Sequence, residues 1–293
     1  MADRIIPETE YILNPDGTLY HIHLANEHVA GFVILVGDPG RVQEVSSHFD
    51  TVEHRSQNRE FITHTGHYKN KRITVMSTGI GTDNIDIVVN ELDAAVNIDP
   101  RTRKVKANKR KLNLIRIGTS GALHADIPVG APVISSHGLG LDGLVHYYQY
   151  PFNTEETNLQ DKIKDHLDWD GKLPKPYVAT GSSFLISGLG QGMVTGITAT
   201  APGFYGPQGR SLRLPLRHPD LNEKLQTFRS GSHRITNFEM ETSALYALGK
   251  MLGHECCTIC SIIANRARKE YSKDAHGQVN NLIGDVLDRI ASL

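Results

Sequence analysis

Five short motifs in a fixed order hold the residues that could do chemistry. They are Gly37-Asp38-Pro39-Gly40-Arg41-Val42, Asn58-Arg59-Glu60-Phe61, Ile115-Arg116-Ile117-Gly118-Thr119-Ser120-Gly121, Phe204-Tyr205-Gly206-Pro207-Gln208-Gly209-Arg210 and Asn237-Phe238-Glu239-Met240-Glu241-Thr242. Arginine beside glycine or a hydroxyl suits a bound oxyanion. Gln208 and Arg210, two residues apart, suit a flat polar ring. A carboxylate at the start of a helix suits sugar hydroxyls. Together the motifs fit a pocket for a phosphate, a base and a ribose.

Each motif also has a plainer reading. The 37–41 turn follows an apolar run and precedes helical spacing, so its N–H groups can hold an anion; it is equally a simple strand-to-helix turn. Arg116 lies inside an apolar strand and must be either bound to a ligand or paired internally. Gln208 and Arg210 share one side if the chain is extended, and a carboxamide donates and accepts at once; the same segment could be a surface loop. Glu239 and Glu241 could serve only the helix dipole. Gly138-Leu139-Gly140-Leu141-Asp142-Gly143 matches GxGxxG, but no clear helix follows it, and Cys257-Thr258-Ile259-Cys260 lies in an apolar strand with no second pair.

The elements that must position these residues are legible in outline. Phe32–Val36 is a continuous apolar run ending in Gly37, the mark of a buried strand. Residues 73–77, 112–117, 132–135, 177–180, 194–200 and 256–264 read as further strands. Helical spacing appears over 42–49, 85–96, 221–228, 242–252 and 279–293, with Gly253 as a C-cap. Strands and helices alternate. The fold class expected is therefore α/β, one domain with a central mixed β-sheet flanked by helices. Residues 1–18, with Pro7 and Asn14-Pro15-Asp16-Gly17, read as an N-terminal arm ahead of a single domain over 19–293. Residues 101–111 hold seven basic side chains and read as a solvated loop insertion, with RNA contact as the alternative. Residues 142–176 read as a long excursion with one helical patch near 158–167.

The chain has 293 residues, 39% apolar and 22% charged, with a net charge of −1. These values fit a soluble globular protein and give no general pull toward nucleic acid or an anionic membrane. Three clustered cysteines argue against a disulfide framework. No secretory h-region or spanning stretch is evident, so a cytoplasmic location is expected.

Taken together the motifs resemble the nucleoside phosphorylase-I family, within it the uridine-cleaving branch. The resemblance runs from about Tyr20 to the C-terminus, broken at 101–111 and 142–176. It implies a Rossmann-like three-layer fold. It implies phosphate contacts at Gly37, Arg41, Arg116 and Thr119, with Arg59 inserted into a neighbouring subunit's phosphate site. It implies a base pocket of Phe204, Gln208 and Arg210 supported by Arg266, and ribose contacts at Met240 and Glu241. His21 matches a histidine that reaches the 5′-hydroxyl of a partner's ligand. The catalytic set implied is Arg210, Gln208, Arg116 and Glu241. The implied reaction is phosphorolysis of uridine to uracil and ribose 1-phosphate, with inorganic phosphate as co-substrate, no organic cofactor, and a homo-oligomer of at least two chains. The purine branch carries a Ser-Asp element after the last strand, where this chain has Ile262-Ile263-Ala264-Asn265-Arg266-Ala267 and no such aspartate. A purine nucleoside phosphorylase or a nucleosidase of the same fold is the alternative, and a non-catalytic nucleoside-binding protein a more distant one. Gly206-Pro207 alters the order of the family's glycine-rich turn. Some members bind a monovalent cation through a glutamate matching Glu60, but Asn84 replaces the accompanying serine, so no metal is expected.

Overall fold

The computed structural model describes residues 4–293. The expected arm therefore has its first three residues outside the described ones.

The side chains of β1 (Phe32–Val36) are almost wholly buried. It lies between two parallel neighbours, β4 (Lys71–Ser77) and β7 (Asn113–Ala122). A strand covered on both faces has no reason to alternate, which is why its sequence is a continuous apolar run. α1 (Pro39–Ser46) follows at once, with proline in its first position and Asp38 capping it through Gly40 N–H at 2.8 Å. Two strands then form a hairpin, β2 (Thr51–Asn58) and β3 (Phe61–Tyr68). The sequence reading missed this hairpin. β2 is the polar edge strand of the sheet, and its segment TVEHRSQN offers no apolar alternation.

α2 (Thr82–Asn97) buries Ile85, Val88, Val89, Leu92 and Val96, the stripe expected from spacing. It packs against α6 (Thr242–Leu252) in the larger core cluster. Each such aliphatic side chain contributes roughly 1.5–3 kcal/mol. Two residue pairs after α2, β5 (Ile98–Asp99) and β6 (Lys104–Val105), form a small separate hairpin. The chain continues through β8 (Pro132–Gly140), α3 (Thr154–His166), β9 (Tyr177–Thr180), α4 (Ser183–Leu189), β10 (Val194–Thr200), α5 (Leu221–Thr227), β11 (Arg229–Ser230) and β12 (His233–Glu239). After α6 come β13 (Glu255–Asn265), β14 (Glu270–Tyr271) and α7 (Ala275–Ser292).

The main sheet runs β11-β12-β10-β8-β13-β7-β1-β4-β3-β2, parallel and antiparallel pairs mixed, as expected. One feature was not expected. β12 also pairs antiparallel with β7 through Asn237–Ala122 and Phe238–Gly121. Strands β7, β13, β8, β10 and β12 thus close into a ring. The closure curls the C-terminal ends of β7, β12 and β13 toward one another, and two of the five motifs, at 115–121 and 237–242, lie there.

The basic run is only in part a solvated loop: Arg101, Lys109 and Lys111 are exposed, whereas Arg103, Lys106 and Arg110 are half-buried and bonded to the scaffold. Arg103 donates to Ile6 O at 2.7 Å, to Pro7 O at 3.0 Å and to Tyr11 O, and its guanidinium sits 5.0 Å from the Tyr11 ring centroid. Lys106 Nζ reaches Val96 O, and Arg110 reaches Val29 O. Lys111 pairs with Glu255 at 2.5 Å. These side chains brace the 6–11 segment, α2, the approach to β1 and the start of β13. An Arg103→Ala variant is expected to lose about 1–3 kcal/mol, the cost of carbonyls left without donors, as a lower urea midpoint at unchanged slope; an unaltered midpoint would show the brace to be idle.

Candidate active site

Residues from all but the second motif's arginine converge on one cavity of about 1070 Å³. Its walls include Gly37 and Arg41 after β1, Arg116 and Thr119 in β7, Phe204, Gln208 and Arg210 after β10, Met240 and Glu241 between β12 and α6, and Arg266 after β13. Ten of the twelve residues expected at the site therefore line a single space. Arg59 and His21 do not.

The floor is a buried charge cluster. Arg116 is 5% exposed. It hydrogen-bonds Glu241 Oε2, approaches Glu239 Oε2 at 3.4 Å and lies 3.5 Å from Cys260 Sγ. Burial alone would lower its basicity, but the two carboxylates outweigh burial and hold it protonated above the ordinary arginine range. The guanidinium folds back over Gly118, where any Cβ would sit 2.0 Å from Nη1. Glycine at 118 is therefore a requirement of the arginine two residues earlier. Glu241 is raised above the usual carboxylate value by burial, against the pull of Arg116, with Glu239 adding repulsion. Its other oxygen accepts Gly81 N–H at 2.7 Å, at the start of α2. Glu239 accepts Thr200 Oγ1 at 2.7 Å and the N–H groups of Glu241 and Thr242. The two readings of Arg116 are thus both present: it is internally paired and it lines the cavity.

Arg41 lies at the same end. Burial first, and repulsion from Arg116 second, lower its basicity. An anion placed between the two guanidiniums would relieve that repulsion. The helix N-terminus contributes less than expected, because the Asp38 carboxylate already occupies Gly40 N–H.

The opposite end is built from amide and guanidinium groups. Gln208 Oε1 accepts from Arg210 Nη1 at 2.6 Å and from Arg266 Nη2 at 3.0 Å. Burial and then Arg210 push Arg266 down to about 10; at neutral pH it remains a cation. The Gln208–Arg210 geometry corrects the expectation of an extended segment. Residues 206–208 form one 3₁₀ turn, and Gly209 has φ +69°, a left-handed conformation that glycine supplies without strain. The Phe204 ring is not bare; the Arg210 guanidinium lies 3.8 Å from its centroid.

The sequence pattern of the Phosphorylase superfamily matches residues 32–292. The chain belongs to this family. Among its relatives, the uridine phosphorylase of Thermococcus kodakarensis is 32% identical over 276 residues, 91% of this chain and 83% of that protein. The DeoD-type purine nucleoside phosphorylase of Bacillus cereus is 27% identical over 244 residues, 83% of this chain and 85% of that protein. The structure of a Trypanosoma brucei nucleoside phosphorylase, described as showing uridine phosphorylase activity, matches with a TM-score of 0.88 at 27% identity, covering 97% of this chain and all of that one. The family resemblance read from the motifs is therefore correct, as is the mixed-sheet α/β fold.

Arg59 and His21 lie together on a separate surface. Arg59, with φ +52°, occupies the β2–β3 turn, and its guanidinium lies 5.9 Å from the Tyr20 ring centroid. The next residue, Glu60, does line the cavity and accepts from Asn84 Nδ2 at 3.3 Å. Sequence reasoning left out several wall residues: Ile80, Asn222, and the β13–β14 hairpin residues Lys269, Glu270 and Tyr271. The Gly79-Ile80-Gly81 turn ahead of the amphipathic α2 was a usable signal; the others carry none. A second, mainly apolar cavity of about 660 Å³ adjoins the Gln208 end, walled by Trp169, Leu173 and Leu214 and sharing Arg210. Cys256, Cys257 and Cys260 are buried and unbridged.

Glu239 is the like charge beside Glu241, so removing it favours the ionised form of Glu241. In Glu239→Gln the acid limb of the kcat/KM–pH profile is expected to move to lower pH. Phosphate's own titration is common to both enzymes and cancels in the comparison; a limb that stays in place would dissociate Glu239 from the Glu241 titration.

Proposed function

We propose that the protein catalyses the phosphorolysis of uridine to uracil and ribose 1-phosphate. The observation that carries this reading is the division of one cavity into a cationic end, Arg41 and Arg116, and an end where Gln208 is held by Arg210 and Arg266. Two relatives of this chain are named for the same reaction or reported to show it.

In this reading phosphate occupies the Arg41–Arg116 end with Gly37 and Thr119, below the anomeric carbon. Glu241 and Met240 hold the ribose. Binding breaks the Arg116–Glu241 contact in part: phosphate oxygens take the guanidinium and the sugar hydroxyls take the carboxylate. At the other end uracil N3–H needs an acceptor and the ring oxygens need donors. Gln208 Oε1 keeps its bond from Arg266 and exchanges its bond from Arg210 for N3–H. Arg210 then turns to a ring oxygen. As the glycosidic bond lengthens toward an oxocarbenium-like state, phosphate stabilises the sugar cation while Arg210 and Gln208 stabilise the uracil anion. Much of the rate comes from positioning and from dipoles set in advance. No covalent nucleophile is required.

The purine alternative finds less support. The stretch 262–267, where the purine branch keeps an aspartate, has none here, and its polar Asn265 donates its amide to His124 O at 2.9 Å and Ile127 O at 2.8 Å and is committed to the scaffold. The placement of Arg59 and His21 outside the cavity supports a homo-oligomer in which each serves a neighbour's site.

Base release followed by ultraviolet absorbance, with and without inorganic phosphate and with inosine in parallel, tests the reaction. Phosphate-dependent uracil release with inosine inert is expected; release without phosphate, or turnover of inosine alone, would overturn the reading. Arg210→Ala should lose ~10²–10³-fold in kcat/KM, the range for one lost oxyanion donor. The shared site has its own test. Arg59→Ala and Arg210→Ala should each be nearly inactive, and refolding them together should restore activity because a mixed oligomer contains one intact site; an inactive mixture would place Arg59 elsewhere.

A further inference from the structure

Glu91 lies on α2, outside the cavity, and none of the roles described above involves it. Its carboxylate is nevertheless heavily committed. Oε2 accepts the N–H groups of His21 and Ile22, each at 3.0 Å, and Oε1 meets His21 Nδ1 at 2.5 Å. An ionised carboxylate only accepts, so His21 carries a proton on Nδ1 and leaves Nε2 as its outward atom. The imidazole is restrained from other directions as well. Asn58 Nδ2 donates to His21 O at 2.8 Å, and the rings of Tyr20 and Phe61 meet it edge to face at 4.8 and 6.5 Å. Three bonds from one carboxylate on a helix are more than chain packing needs for a histidine about one quarter exposed at its side chain. The arrangement has the form of an orienting carboxylate behind a working imidazole.

We infer that Glu91 is a positioning residue: it fixes the orientation and tautomer of His21 so that Nε2 is presented to the 5′-hydroxyl of the nucleoside in the neighbouring subunit. This rests on the reading of the protein as a uridine phosphorylase with a shared site. Glu91 sits on the same helix whose first turn is docked on the ribose carboxylate through Gly81 N–H. One rigid rod therefore sets both Glu241 in its own cavity and the histidine offered outward. Gln in place of Glu91 would keep an acceptor for the two backbone N–H groups but turn an N–H toward Nδ1, so it separates ring orientation from backbone anchoring.

The test compares uridine with 5′-deoxyuridine, which lacks the hydroxyl in question. Glu91→Ala should lower kcat/KM for uridine by ~10–100-fold, the usual range for removing an orienting partner, and leave 5′-deoxyuridine nearly unchanged. Glu91→Gln should show a smaller loss with the same substrate pattern. In a His21→Ala background, the Glu91 substitutions should add nothing. Equal losses on both substrates, or a further loss in the His21→Ala background, would reduce Glu91 to a structural contact and overturn the inference. If His21→Ala itself fails to distinguish the two substrates, the shared-site reading of His21 falls and the role of Glu91 falls with it. Wild-type turnover of uridine in the same assay reports separately on the reaction.

Discussion

The ion cluster of Arg116 with Glu241 and Glu239 is the constraint on which the rest of the structure depends. A guanidinium at that depth is tolerated only with carboxylates beside it, and those carboxylates stand at the end of a different strand. The sheet must therefore bring β7 and β12 together, which it does by closing five strands into a ring. Gly118 must lack a side chain for the guanidinium to lie back. Gly81 must meet Glu241, which fixes where α2 begins. Charge, strand order and helix start are in this sense one requirement.

The polar interior around the cluster is continuous. Asn237 in β12 donates to Ser120 Oγ in β7 and accepts from Thr198 in β10 and Thr236. Thr200 links Glu239 to the first turn of α6. Buried networks of this kind hold a single arrangement when every member is partnered. They also explain why β12 escaped the sequence reading: the segment HRITNFE places threonine, asparagine and glutamate in the core, so its polarity imitates a loop. β2 escaped for the opposite reason, as an edge strand whose side chains meet solvent on both faces. By contrast β10 and α6 were legible to the residue, β10 from its β-branched residues and α6 from its apolar stripe closed by Gly253.

The gathering of the motif residues around one cavity was more legible than the strands that gather them. Arginine in an apolar strand, a carboxamide two residues from an arginine, and carboxylates before a helix each conflict with simple packing, and such conflicts gather where a ligand is handled. The conformation was not legible. Nothing in Gln208-Gly209-Arg210 announces a left-handed glycine, and nothing in Phe204 announces that its face is already covered. The basic run misled because a density of like charge normally means solvent. Here the charges are spread among backbone carbonyls of three separate segments, so the run behaves as a set of fasteners rather than a patch.

In the proposed reading the base enters an end of the cavity whose polar groups already bond to one another. Arg210 bonds to Gln208 and to Phe204 O at 2.6 Å, and Arg266 bonds to Gln208. An entering ring does not meet bare donors; it exchanges partners with them. The heat released on binding is then small, because bonds formed replace bonds given up, and the net drive comes from expelled water and from stacking. Rejection works differently. A ring that cannot return an N–H to Gln208 or an oxygen to Arg210 strands a polar group in a closed space and incurs its full desolvation cost. The pocket's selectivity therefore resides in what a wrong occupant disrupts, and a well-fitted ligand needs only modest affinity to be told apart.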